Sequence, residues 1–352
     1  MNNEKQIRIK DIAERANVSI GTVDRVLHDR GEVAEITKRK ILQIVKDLNY
    51  QPNLLASTLA SKKPYLFATL FPAPPSSDGY WNKPAIGVKK RIQELNQFGV
   101  DIQPFTFNQA EPKSFIENAE KILSINPEGI VFAPFFKKES ESFIEQLKER
   151  NIPFVFIDSE IKLAGQLGYV GQNSYQSGMV SGKLLDLILP EGNILVMHFA
   201  KEMDNQNHLV QREKGFYNWF KKNKQTTRQL YTTEISDTSS DIWMDQIVNT
   251  IHKKNIKGIF VTNSKVYYAG RLVEKFGWDD MKVIGHDLLR ENVLFLKKNL
   301  VQFLICQRPE EQGYNSINKL FKYIVQKKGI AKENYTSIDI VTKENVDFYK
   351  EF

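Results

Sequence analysis

The sequence predicts two kinds of folded unit: a small all-α helix-turn-helix domain at the amino end, then an α/β region of two doubly wound parallel-sheet subdomains. Three observations carry that expectation. Residues 8–27 hold two short apolar periodicities of helical spacing, separated by a polar turn. From Tyr65 onward, short apolar runs alternate with longer amphipathic ones, the pattern of parallel strands joined by helices. With weaker candidates counted, roughly ten such runs exceed what one compact sheet of ordinary size holds.

In the first unit, Ile12, Ala13 and Ala16 share one helical face and Asn17 accepts the left-handed backbone that ends a helix. Ser19 can cap a second helix, in which Val23, Val26 and Leu27 point inward. This is the outline of a DNA reader whose second helix lies across the major groove, although an ordinary helical hairpin shares the local pattern. A third helix offers Ile36, Ile41, Ile44, Val45 and Leu48 to cover the pair. Pro52 ends it, and Asn53 can cap a further helix at 54–61, too short to be stable alone in water. The expected division is a helix-turn-helix domain at 1–52, a hinge helix and linker at 53–64, and an α/β region at 65–352.

Strand candidates follow at Tyr65 to Phe71, Gly129 to Ala133, Pro153 to Ile157, Ile194 to Phe199, Gly258 to Val261, Met281 to Ile284 and Val301 to Ile305. Helical stretches between them begin near Ile86, Ser114, Glu139, Tyr175, Leu209, Ile242 and Val266.

Composition narrows the class. With 352 residues and 41% hydrophobic content, two or three domains can each bury a core. Residues 1–63 hold 12 Lys or Arg against 8 Asp or Glu, so over half of the net charge of +7 sits there. A basic end segment attracts a phosphate backbone, and solvated surface is the plain alternative. The single cysteine, Cys306, leaves no thiolate cluster and reads as a small buried hydrophobe. The polar amino terminus and the lack of a long apolar run lead us to expect a cytoplasmic protein without membrane contact. Five histidines without metal-ligand spacing, and no nucleophile elbow or phosphate-binding glycine loop, give no catalytic residue, no metal and no cofactor to expect.

Ile9-Lys-Asp-Ile-Ala-Glu-Arg-Ala-Asn-Val-Ser, Thr22-Val-Asp-Arg-Val-Leu and Asp47-Leu-Asn-Tyr-Gln-Pro-Asn follow a known head-piece pattern. Gln211-Arg-Glu-Lys-Gly-Phe, Thr262-Asn, Ile284-Gly-His-Asp and Gln307-Arg-Pro-Glu-Glu-Gln-Gly-Tyr occur in the expected order behind it. On these residues the whole chain resembles the lactose-repressor family of bacterial transcription regulators. The resemblance implies a homodimer that binds double-stranded operator DNA and carries a type I periplasmic-binding-protein-like effector domain. Its subdomains are expected at about 65–172 with 307–328, and about 173–306 with 329–352. The carboxyl-terminal segment has no leucine heptads, which favours a dimer over a tetramer.

The resemblance places base-reading positions at Ile20 and Gly21, with Arg25 a further groove contact. Arg25 is either a guanine reader or a phosphate contact, or it pairs with Glu14. Ser19, Thr22 and Asn53 are phosphate binders or caps. Asp24 stands where the family usually has Ser, and either accepts from cytosine or penalises wrong sequences. In the hinge helix, Leu59 would wedge into the minor groove beside Ala56, with linker packing as its alternative. For the effector, the resemblance points Arg212, Asn263, Asp287 and Gln307 into the crevice between subdomains, and planar groups of this kind suit vicinal hydroxyls. Asp158 ends a strand there, and Asn173 marks the first crossover. Of the aromatic residues in loops after strands, Trp81 is the first choice to stack on a sugar ring and Phe135 another, with core packing the alternative. The expected function is repression of carbohydrate-use genes under control of a bound sugar or sugar derivative. An activator of the same parts, or a freestanding sugar-binding transport component, is the other reading.

Overall fold

The computed structural model describes residues 7–27, 31, 33–48, 50, 64–74, 76, 79–162, 164–199, 207–223 and 228–349. Two compact units emerge, divided at Pro64. In the first, helices Ile9–Ala16, Ile20–Leu27 and Glu35–Asp47 pack around Ile12, Ala13, Ala16, Val23, Val26 and Ile41. Asn17 takes the left-handed conformation at φ 58° and ψ 50°, and the Ser19 hydroxyl accepts from the Thr22 amide at 3.1 Å. Asn17 thus ends the first helix and Ser19 starts the second, as the sequence requires. Ile36 departs from expectation. It is 81% exposed, because the third helix turns Ile41, with Ile44, Val45 and Leu48 flanking it, toward the pair instead. The proposed hinge helix, with Asn53, Ala56 and Leu59, lies outside the described residues.

The second unit holds two six-stranded sheets. The first is built from Tyr65–Pro72 (β1), Val100–Phe107 (β2), Gly129–Phe132 (β3), Phe154–Ile157 (β4) and Gly168–Gly171 (β5). The second uses Asn193–His198 (β6), Leu230–Glu234 (β7), Ile256–Val261 (β8), Lys282–His286 (β9) and Phe303–Cys306 (β10). Two short strands, Glu333–Tyr335 (β11) and Asp339–Val341 (β12), complete them. The orders β2-β1-β3-β4-β5-β11 and β7-β6-β8-β9-β10-β12 repeat one doubly wound topology. Among the described strands only β12 runs antiparallel to its neighbour.

Residues 329–352 are expected in the second subdomain, but β11 pairs with β5 in the first sheet, so the chain crosses back between Tyr335 and Asp339. The exposed Glu-Asn-Tyr of β11 has no apolar pattern and is held through its backbone.

Each lobe brings two helices into backbone contact through small residues. A Cβ on Gly178 would fall 1.9 Å from the Arg212 carbonyl oxygen, and one on Gly215 would fall 2.0 Å from that of Tyr175. Only glycine permits that approach, which seats the helix Asn207–Lys222 against Ser174–Ile188 and holds Arg212 under the cleft. Among the described residues no helix is long and apolar enough to cross a membrane.

Candidate functional site

A cavity of about 480 Å³ opens between the carboxyl ends of the two sheets of the α/β unit. This is where ligands enter doubly wound folds, since loops diverge there and leave a crevice. The first lobe gives the cavity an aromatic wall. Trp81 faces it from a loop after β1, resting on Phe71 at 5.7 Å between ring centroids and meeting Tyr80 edge-on at 5.3 Å. Phe135 and Phe136 line it from the loop after β3, with Phe107 behind them at 6.0 and 5.7 Å. Phe71 itself packs behind and does not line the space.

The opposing wall is polar and pre-ordered. Arg212, 2% exposed, donates to the Thr262 carbonyl oxygen at 2.8 Å and to Oε1 of Gln307. Gln307 in turn donates to both carboxylate oxygens of Asp287 at 2.9 and 3.1 Å. Arg212 projects from the second turn of the helix Asn207–Lys222. Its Nε is buried and has no partner among the described residues, which leaves a donor in the wall. Behind the wall, the His198 ring meets the Thr262 hydroxyl at 2.8 Å and thereby steadies the residue that orients Arg212.

Two aspartates close the inner end. Asp158 and Asp287 follow β4 and β9, the matching strands of the two sheets, and both have left-handed backbone, at φ 65° and 70°. Such geometry is costly for a residue with a Cβ and gathers at functional sites. Asp158 accepts from the Tyr80 hydroxyl at 2.7 Å. Burial pushes the Asp287 carboxyl up to about 7, with Arg212 and Gln307 opposing and Asp158 adding to the rise. Burial likewise takes His208 down to about 4, so its ring is neutral near pH 7. The Tyr80 hydroxyl is raised by burial and then by both aspartates, so it stays a donor.

The expected effector residues Trp81, Phe135, Asp158, Arg212, Asn263, Asp287 and Gln307 therefore meet around one space. Asn263 has its amide committed to the loop, donating to the Phe199 carbonyl oxygen at 3.0 Å and accepting from the Lys265 amide at 3.2 Å. Asn173 is the exception. Its Oδ1 caps the helix Ser174–Ile188 by accepting from the Gln176 amide at 3.0 Å, and it borders a separate recess with Glu160 and Asn207. A residue at a crossover serves first to start the next helix, which removes Asn173 from the cavity. Sequence reasoning missed His208, Tyr267, Lys265 and Arg290 as lining residues. The signal available for the last three was their place just after β8 and β9.

In the first unit the second helix presents Ser19, Ile20, Gly21 and Arg25 to solvent, Ile20 being 52% exposed. Thr22 and Asp24 are half-buried, and the Thr22 hydroxyl meets that of Ser19 at 2.9 Å. Arg25 makes no ion pair with Glu14 among the described residues, which removes that alternative. The Asp24 charge adds to burial in raising the Tyr50 hydroxyl, so its carboxylate is close to the end of the unit.

Comparison with known proteins agrees with both units. Residues 69–328 match the periplasmic binding protein domain, and residues 8–53 match the bacterial regulatory proteins of the lacI family. A Bacillus subtilis (strain 168) protein designated a probable HTH-type transcriptional repressor, ExuR, is 31% identical over 160 residues, 44% of either chain. The ribose operon repressor of the same organism is 28% identical over 187 residues, 52% of this chain and 54% of its own. The matched stretches thus span about half the length of these curated relatives. Over a longer range, a Bacteroides fragilis structure assigned as a LacI transcriptional regulator superposes with a TM-score of 0.76 at 30% identity. It covers 82% of this chain and 100% of that one. GanP, a glucose-galactose binding protein of Geobacillus stearothermophilus, shares the fold at a TM-score of 0.71 and 23% identity, covering 81% and 99%.

Proposed function

The chain belongs to the lacI family of bacterial regulatory proteins, and from that premise we propose that it represses carbohydrate-use genes as a sugar-controlled DNA-binding homodimer. The observation that carries the reading is the joining, in one chain, of a solvent-facing recognition helix with a cavity made for a ring. A pyranose has hydroxyl edges and an apolar C–H face. Arg212, Gln307 and Asp287 suit the first, and the Trp81 side suits the second.

In this reading Ile20, Gly21 and Arg25 meet base edges, Ser19 and Thr22 meet phosphates, and Asp24 discriminates between sequences. Asn53, Ala56 and Leu59 belong to a hinge helix that orders on DNA, and the protein works in the cytoplasm. Sugar closes the two lobes and loosens the paired hinges. Coupling is reciprocal, so operator DNA weakens sugar binding by the factor that sugar weakens DNA binding.

The test is selection of duplexes from random DNA by the full chain, followed by anisotropy titrations with and without sugars. A specific duplex released by one sugar is the expected result, and salt-sensitive binding without any preferred sequence defeats the proposal. Arg25→Ala should narrow discrimination at one base pair by about 1–3 kcal/mol, and an equal loss on random DNA makes Arg25 a phosphate contact.

A further inference from the structure

The charge of the cavity changes along its depth, and with the sugar-responsive reading as its basis that gradient names the class of sugar. At the inner end stand the carboxylates of Asp158 and Asp287 and the guanidinium of Arg212, with His208 neutral beside them. An anionic group placed there would face the Asp158 carboxylate and the partly ionised Asp287 beside one cation, and would raise the cost of ionising Asp287 further, so this end suits uncharged hydroxyls.

The outer end is cationic. Lys265 and Arg290 line the cavity just after β8 and β9, and neither forms an ion pair among the described residues. The acid at this rim, Glu291, is already held by Arg271 at 2.5 Å. Desolvation keeps the Lys265 ammonium below its ordinary range, as expected for a cation at a cavity wall that lacks a carboxylate. Among the described residues the unpaired rim charge is therefore positive on the polar wall.

Size points the same way. A dry cavity of about 150 Å³ holds one benzene, six heavy atoms, so at that packing roughly twelve heavy atoms of a hexose need about 300 Å³. The cavity here is about 480 Å³, which leaves room beyond a single ring. We propose that the effector is a sugar carrying one anionic group, a phosphate ester or a carboxylate. Its hydroxylated ring occupies the inner end against Trp81, and its anion lies between Lys265 and Arg290 at the mouth. The opposed charges at the two ends also fix its orientation, because the reversed pose would bring the anion to Asp158 and Asp287.

The experiment is calorimetric titration of the full chain with glucose, galactose, mannose, fructose and ribose, each beside its terminal phosphate ester and its sugar acid. One anionic member should bind at least about tenfold tighter than its neutral parent, with a preference that shrinks as salt rises. Whether the ester or the acid wins identifies the anion. The double variant Lys265→Gln, Arg290→Gln should bring the ratio close to one, whereas Lys265→Arg with Arg290→Lys retains it. A neutral sugar that binds as tightly as its anionic forms, or a preference that survives the double glutamine variant, overturns the inference and leaves the sugar-responsive regulator standing. No binding by any member overturns both.

Discussion

The two lobes share one strand order but build opposite halves of the cavity. The first offers rings, with Trp81, Phe135 and Phe136 backed by Phe71 and Phe107. The second, with the crossover that follows β10, offers the hydrogen-bonded series Thr262, Arg212, Gln307 and Asp287. Even the matching aspartates differ. Asp158 is held by a hydroxyl of its own lobe, whereas Asp287 leans on an amide and has its carboxyl pushed up to about 7. Equivalent backbone positions thus carry different chemistry, one wall aromatic and the other hydrogen-bonded and charged. The proposed sugar, with one apolar face and polar edges, is an occupant that satisfies both.

The comparison can be broken at three points. Arg212→Ala removes two charge-assisted hydrogen bonds from the polar wall and strands the Gln307 amide. We expect effector affinity to fall by about 100-fold, from roughly 3 kcal/mol lost, while operator affinity in the absence of effector changes little. An unchanged dose response in an operator-release titration would remove Arg212 from the ligand. Trp81→Ala strikes the aromatic wall, and a lost ring anchor of about 2 kcal/mol weakens the sugar roughly 30-fold. If that variant binds as tightly as the parent, the ring serves packing against Phe71 alone.

The third effect is smaller and depends on pH. Because the folded-state value of Asp287, about 7, lies above its ordinary 3.8, its contribution to stability is present below about pH 4 and is lost as pH rises to about 7. Ligand hydroxyls that donate to the ionised carboxylate expel its proton, so effector affinity should rise with pH, approaching tenfold between about pH 6 and 8. Asp287→Asn should flatten that profile. A profile of the opposite slope, or one that survives the substitution, would assign the proton elsewhere.

Legibility in the sequence followed burial except at β5, which is buried throughout but offers only Tyr169 and Val170 between glycines, too little for an apolar run. Strands β1, β3, β4, β6, β8, β9 and β10 are covered on both faces, so they stand out as apolar runs. Strands β2, β7, β11 and β12 lie at sheet edges, where alternate or all residues meet water and the run is broken. The helix Pro309–Leu320 went unread because its buried face is Gln312, Gly313, Ser316 and Lys319 beside Ile317 and Leu320, which blurs any apolar stripe. In the site, the aromatic residues were readable from their place in loops after strands, whereas Arg212, Asn263, Asp287 and Gln307 were indicated by the family resemblance. Asn173 marked the first crossover and was claimed by a helix cap.

Local sequence determined the helix-turn-helix and the alternation of strands and helices, because each follows from periodicity, capping and strand ends within a few residues, while the polar side chains of the crevice were indicated by the family resemblance. Only the tertiary structure decided which of those side chains act together. Arg212 reaches Gln307 across 95 positions and Gln307 reaches Asp287 across 20, separations over which no local pattern carries information. The proton affinity of Asp287 is likewise set by what packs over it, since the cost of removing a charge from water belongs to the surroundings of the group and not to the residue.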